Sequence, residues 1–266
     1  MELRSDRAIA QIDLDGGRLP SLVVAGHELL ITEGTNPSRY GSFPMAPWAG
    51  RLPCGSLSFR DSTYEFPITS PPHANHSTAF QQQWTAVAPG VMQTPLDEPW
   101  PFGGFVRQTF LINNDALTVT MEVHAESAPM PALIGWHPWF RRQLDTGGPA
   151  KLDFIAPYVY ETDDDLIPTG RLHPPPAEPW NHCFVGATSD PKITWPGVMT
   201  LRVSSTLDHW VVSTEPDHAL CVEPQSGPPN QVNTEPTIVE PGNPLVGTMP
   251  LAWSLEESDI LGSDGE

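Results

Sequence analysis

The chain has 266 residues and a formal charge of −19, from 32 Asp and Glu against 13 Lys and Arg; this balance repels nucleic acid and anionic membrane surfaces. Hydrophobic residues at 39% and nine Trp argue against simple disorder, while 32 Pro and 21 Gly make turns frequent. Three cysteines without a CxxC or Cys/His ligand spacing argue against a disulfide scaffold or a structural zinc site.

The N-terminal MELRSDRAIAQIDL lacks the apolar core of a secretory signal, and no segment approaches the length of a membrane span, so a soluble, cytoplasmic protein is expected. Short runs rich in β-branched, aromatic and Leu residues then recur between turn signals: Ile9 to Leu14, Ser21 to Ile31, Leu57 to Phe59, Tyr64 to Phe66, Phe105 to Ile112, Ala116 to His124, Leu152 to Tyr160, Met199 to Ser205, His209 to Ser213 and Leu245 to Trp253. In 117-LTVTMEVH-124 Leu117, Val119, Met121 and Val123 share one face, the mark of a half-buried strand. No stretch sustains helical periodicity over three turns, and several candidates are broken by Pro. The expected fold is all-β, a sandwich or barrel spanning residues 1–266 as one domain, with an acidic tail from about 256.

Two segments are too loaded to be plain connectors. The first, 34-GTNPSRYGSFPMAPWAGRLPCG-55, carries Trp48 and Arg51; the second, 70-SPPHANHSTAFQQQW-84, carries His73 and His76. The two histidines have no accompanying acidic or Cys ligands, so contact with a polar substrate is expected of them and a metal is not. Arg51, just after Trp48-Ala49-Gly50, can be locked against an aromatic and aimed at a hydroxyl or carboxylate, or serve a structural ion pair.

His137 sits in 134-IGWHPWF-140, walled by aromatics and followed by Pro138. Its protonation is therefore set by neighbours, and His is the commonest acid or base near neutral pH. In 220-LCVEPQSGPPNQVN-233 an apolar strand end delivers Glu223 into a rigid Pro- and Gly-rich segment, where a carboxylate either bonds turn amides or does chemistry. Trp48, Trp136, Trp139 and Phe140 near these polar groups suit a sugar, whose apolar faces stack on rings while its hydroxyls need fixed donors and acceptors. Nucleophile elbows, phosphate-cradling loops and dinucleotide fingerprints are missing, which leaves acid/base chemistry.

The stretches 44-PMAPWAGRL-52, 73-HANHS-77 with Trp84 beyond it, 134-IGWHPWF-140, 166-LIPTG-170 and 221-CVEPQSGPPNQVN-233 occur in an order that resembles the aldose 1-epimerases, or galactose mutarotase-like proteins, in their shorter bacterial branch. The resemblance implies a large antiparallel β-sandwich, the supersandwich of that family. It also implies a cofactor-independent isomerase, a monomer or homodimer, that interconverts the α and β anomers of a free sugar. Glu223 is then the general base and His137 the general acid, with Arg51, His76 and the aromatics Trp48 and Trp136 in substrate binding.

Two positions depart from the family pattern: Ser77 stands where Gly is usual, and Asn181 in 180-WNHCF-184 stands where an Asp usually binds hydroxyls. Two alternatives remain open in the sequence. One is a hexose-6-phosphate 1-epimerase, for which Arg39, Arg141 and Arg142 are the candidate phosphate clamp; the other is a non-catalytic carbohydrate-binding or regulatory protein.

Overall fold

The alternation in 117-LTVTMEVH-124 becomes the strand Ala116–His124, buried at every second position. In a computed structural model, which describes residues 1–256, that strand lies in the middle of an eight-stranded antiparallel sheet. Phe105–Ile112 flanks it on one side and the eleven-residue strand Leu245–Leu255 on the other. The acidic C-terminal segment, apart from Glu256, lies outside the described residues.

An eleven-stranded sheet packs against the first. Its central strands run in the order Arg18–Val24, Ser42–Met45, Gly135–Arg141, Ala219–Gln225, His209–Ser213 and Asn181–Val185, neighbours pairing antiparallel. This is the expected all-β architecture of large antiparallel sheets. Apolar side chains of both sheets form one contiguous core, with Leu22, Phe140, Leu220 and Val222 from one sheet meeting Val119, Met121, Leu201 and Met249 from the other. Burying such side chains is worth about 1.5–3 kcal/mol each. No helix among the described residues is long and apolar enough to cross a membrane.

Three sequence readings are refined by this topology. The run Ser21 to Ile31 is interrupted where Ala25 and Gly26 take positive φ and turn the chain into the short strand His27–Glu28. Leu152 to Tyr160 holds two strands, not one: Lys151–Asp153 ends the eight-stranded sheet, whereas Tyr158–Thr162 belongs to the eleven-stranded one. A continuous apolar run does not reveal that the chain changes sheets at Pro157. The central strands Ser42–Met45 and Gly135–Arg141 were not among the expected strands. Both are covered on both faces, so they lack alternation, and both contain Pro.

One polar chain crosses the core between the sheets. Trp136 Nε1 donates to Gln108 Oε1 at 3.0 Å, and Gln108 Nε2 donates to the Gly17 carbonyl at 2.7 Å. Gln108 is 1% exposed, so replacing it with an apolar residue leaves an indole N–H and a carbonyl unpaired out of reach of water. We expect Gln108→Leu to lower unfolding stability by about 2–4 kcal/mol in chemical denaturation.

Candidate active site

The two-residue period of the central strands decides which side chains leave the core. On Gly135–Arg141, His137 and Trp139 face outward while Trp136 and Phe140 point between the sheets; on Ala219–Gln225, Cys221, Glu223 and Gln225 face outward while Leu220 and Val222 point inward. The register places the outward side chains in rows. Gly135 pairs with Gln225 and Trp139 with Cys221, so His137 stands opposite Glu223. Phe43 continues that row on one side and Val211 on the other. In the next row Trp139, Cys221, Ser213 and Asn181 follow one another across four strands.

These rows form the floor of a cleft of about 570 Å³. Its wall comes from the two loaded segments, which pair with each other: Arg51–Leu52 forms a short ladder with Ala74–Asn75, and the His76 amide donates to the Gly50 carbonyl at 3.0 Å. Gly50 has φ +68°, and a β-carbon there would lie 2.7 Å from Pro229, so the close approach of this wall to the loop after Glu223 requires glycine. Ser77 takes φ +68° and donates its hydroxyl to the Ala46 carbonyl. The backbone therefore adopts the left-handed conformation that glycine favours even though serine occupies the position.

His137 Nε2 and Glu223 Oε1 are 3.3 Å apart, with the side chains 10% and 3% exposed. The His137 ring lies nearly parallel to Phe43 and Trp139, at 4.8 and 5.1 Å between centroids, and the edge of His76 meets it at 5.0 Å. Burial pushes the Glu223 carboxyl well above the usual carboxylate range, against the opposing pull of Gln225, whose Nε2 lies 3.3 Å from Oε2, and of the Arg51 guanidinium. Burial and then the neighbouring His76 hold His137 well below the usual imidazole range. For His76 burial, reinforced by Arg51, lowers the pKa to about 3. Burial thus disfavours the charged form of each group, and the two shifts run in opposite directions.

Of the residues expected in the site, Glu223, His137, Arg51, His76 and Asn181 line the cleft. Trp48 and Trp136 do not, and they correct the expectation of sugar stacking. Trp48 packs in the core against Phe66 and Trp100, and Trp136 is committed to Gln108 between the sheets. Phe140 is likewise in the core, and Trp139 is the Trp that lines the cleft. His73 is structural: its Nδ1 accepts from the Cys54 amide and its Nε2 donates to the Asp165 carbonyl, which uses both ring nitrogens. Cys54, Cys183 and Cys221 are all free.

Among residues the sequence reading missed, Glu215 also lines the cleft and accepts from Asn181 Nδ2 at 3.1 Å. It lies in 213-STEPDH-218, where an acid among turn residues reads as solvated surface. Gln225 follows Glu223 by two, and period two alone could have placed it on the same face. Arg39 lines the cleft too, whereas Arg141 donates to the Leu30 carbonyl and Arg142 to those of Pro216 and Thr214.

The aldose 1-epimerase family model matches residues 1–251. The chain belongs to the aldose 1-epimerase family. Solved structures agree at the level of fold. A galactose mutarotase-like protein from Clostridium acetobutylicum superposes with a TM-score of 0.81 at 16% identity, covering 96% of this chain and 95% of that one. An aldose epimerase homologue from C. elegans gives 0.79 at 17% identity, with 97% and 99% covered. A galactose mutarotase-like protein from Lactobacillus casei gives 0.73 at 15% identity, with 96% and 99% covered. The aldose 1-epimerase fold thus extends over nearly the whole chain.

The depressed His76 pKa has a consequence for acid stability. Above pH 6.5 His76 is neutral in both states and contributes nothing; between pH 6.5 and about 3 the unfolded chain binds a proton that folded His76 refuses, so folding weakens as pH falls. We expect the imidazole ¹⁵N signals of His76 to remain those of neutral histidine down to about pH 4, and His76→Gln to flatten the decline of stability between pH 6.5 and 4.

Proposed function

We propose that this protein is a mutarotase that interconverts the anomers of a free aldose. Glu223 removes the proton from the anomeric hydroxyl while His137 protonates the ring oxygen. The bond from the anomeric carbon to the ring oxygen breaks, the anomeric oxygen becomes the aldehyde carbonyl, and rotation about the adjacent carbon–carbon bond precedes reclosure onto the other face. Protons move in the reverse direction on closing, so acid and base are regenerated and the reaction needs no external group. The observation that carries this reading is the 3.3 Å contact between a carboxyl and an imidazole at the floor of a polar cleft. The two reacting oxygens share one carbon, so their acid and base must be immediate neighbours.

The surroundings support it. Asn75, His76, His137 and Gln225 each keep a buried polar atom with no hydrogen-bond partner among the described residues, as suits a ligand rich in hydroxyls. Arg51 and Gln225 favour the carboxylate form of Glu223 against burial, and neutral His76 can donate or accept toward a hydroxyl. Trp139 offers a ring face beside His137.

Polarimetry on freshly dissolved aldoses tests the assignment. Glu223→Gln keeps the shape but removes the base, and a loss in kcat of about a hundredfold or more is expected; an unchanged rate would sink the reading. The pH profile of kcat/KM should be bell-shaped, falling in base as the pair loses its proton and in acid as it gains a second.

A second reading, a sugar carrying a phosphate remote from the anomeric centre, draws on Arg39. Its guanidinium lines the cleft without an ion pair to any described residue, while Arg141 and Arg142 are held by backbone carbonyls. If a phosphosugar is the substrate, Arg39→Ala raises KM for it about tenfold or more and leaves KM for the unphosphorylated sugar unchanged. Equal effects on both would dismiss the phosphate.

A further inference from the structure

Cys221 has no part in the proton transfers above, yet it lines the cleft beside the two groups that do. It is 0% exposed and stands beside Trp139 in the register, one position removed from the His137–Glu223 row. One nitrogen of His137, Cys221 Sγ and one carboxylate oxygen of Glu223 all lie within 4.8 Å of one another. We propose that these three side chains form a binding site for a borderline-soft divalent cation of the Zn²⁺ class, which occupies the cleft floor in competition with sugar.

The geometry is close to what such an ion needs. Tetrahedral ligands at about 2.0–2.2 Å place a nitrogen and an oxygen roughly 3.4 Å apart, and His137 Nε2 and Glu223 Oε1 stand at 3.3 Å. Bringing the sulfur to bonding distance takes a movement of no more than about 1 Å. All three ligands come from rigid central strands, so the triad exists before the ion arrives. Thiolate, imidazole and carboxylate together select Zn²⁺ over Mg²⁺ or Ca²⁺, which take oxygen ligands. The chain's −19 charge favours uptake of a cation, although Arg51 near Glu223 opposes it.

That the ion would block turnover rests on the mutarotase reading, but its binding does not.

Co²⁺ titration of the full chain under reducing, oxygen-free conditions is the test. A sulfur-to-cobalt charge-transfer band in the near ultraviolet with tetrahedral visible bands is expected. Cys221→Ser should remove the charge-transfer band; Glu223→Gln should keep it but weaken binding about tenfold or more, and serves alone if Cys221→Ser fails to fold by circular dichroism. The proposal is overturned if no band forms up to about millimolar Co²⁺. It is equally overturned if the band survives Cys221→Ser and disappears in Cys54→Ser, which would locate the ion at the exposed thiol, or if Glu223→Gln binds as tightly as the parent chain. Sugar turnover is read separately: a chain that binds Co²⁺ as described but never accelerates anomeric exchange keeps the metal site and loses the mutarotase reading.

Discussion

The contact between His137 and Glu223 depends on two antiparallel strands presenting adjacent positions of one row at the middle of a large sheet. A slip of one residue in either strand would turn that strand over, burying the imidazole or the carboxyl between the sheets and sending Trp136 or Val222 into the cleft. Register is held because the inward face is a continuous apolar surface. Phe140, Leu220 and Val222 are at most 1% exposed, and each would be stranded by a slip. Stability of the core and alignment of His137 with Glu223 are therefore one constraint. The same burial makes charge costly on either member, raising the pKa of Glu223 and lowering that of His137.

A sheet alone supplies a flat floor. The wall is made by segments of irregular backbone whose amides and carbonyls are satisfied by one another: Arg51 with Asn75, His76 with Gly50, Ala79 with Ala46. This mutual pairing explains how such long connections stay ordered and why Arg51 and His76 arrive together over Glu223. His76 and Ser77 both hold positive φ, an unfavourable conformation for side-chain-bearing residues that persists only where surrounding bonds fix it. The Ser77 hydroxyl, bonded to the Ala46 carbonyl, is one such bond.

How much of this was legible in the sequence follows from what each signal measures. Alternation identified Ala116–His124 because that strand is covered on one face. It missed Ser42–Met45 and Gly135–Arg141, where both faces are covered and Pro interrupts the pattern, although these strands carry the site. Glu223 and His137 stood out by their rigid or aromatic neighbours, a local signal. Their pairing is a matter of register between distant strands and leaves no local mark. Aromatic content misled for the same reason: Trp136 neighbours His137 in sequence, but adjacent strand residues point to opposite faces, and Trp48, in the loop before Arg51, packs into the core. His73, three residues before His76, was spent on structure at Cys54 and Asp165, which no spacing announces.

The rim of the cleft carries a carboxylate beside position 181. Asn181 brings no charge, but its amide donates to Glu215 on the following turn, so a carboxylate still lies over the row of Ser213, Cys221 and Trp139. The turn is anchored from beneath: Arg142 donates to the carbonyls of Thr214 and Pro216, on either side of Glu215. A guanidinium that composition alone would offer to a phosphate is thereby used to hold the turn that carries Glu215. With Glu215 at one edge and Arg39 at another, the rim has an acceptor for a polyol and a donor for an anion. A carboxylate repels phosphate but accepts from hydroxyls, so these two side chains give the two edges of the rim opposite preferences.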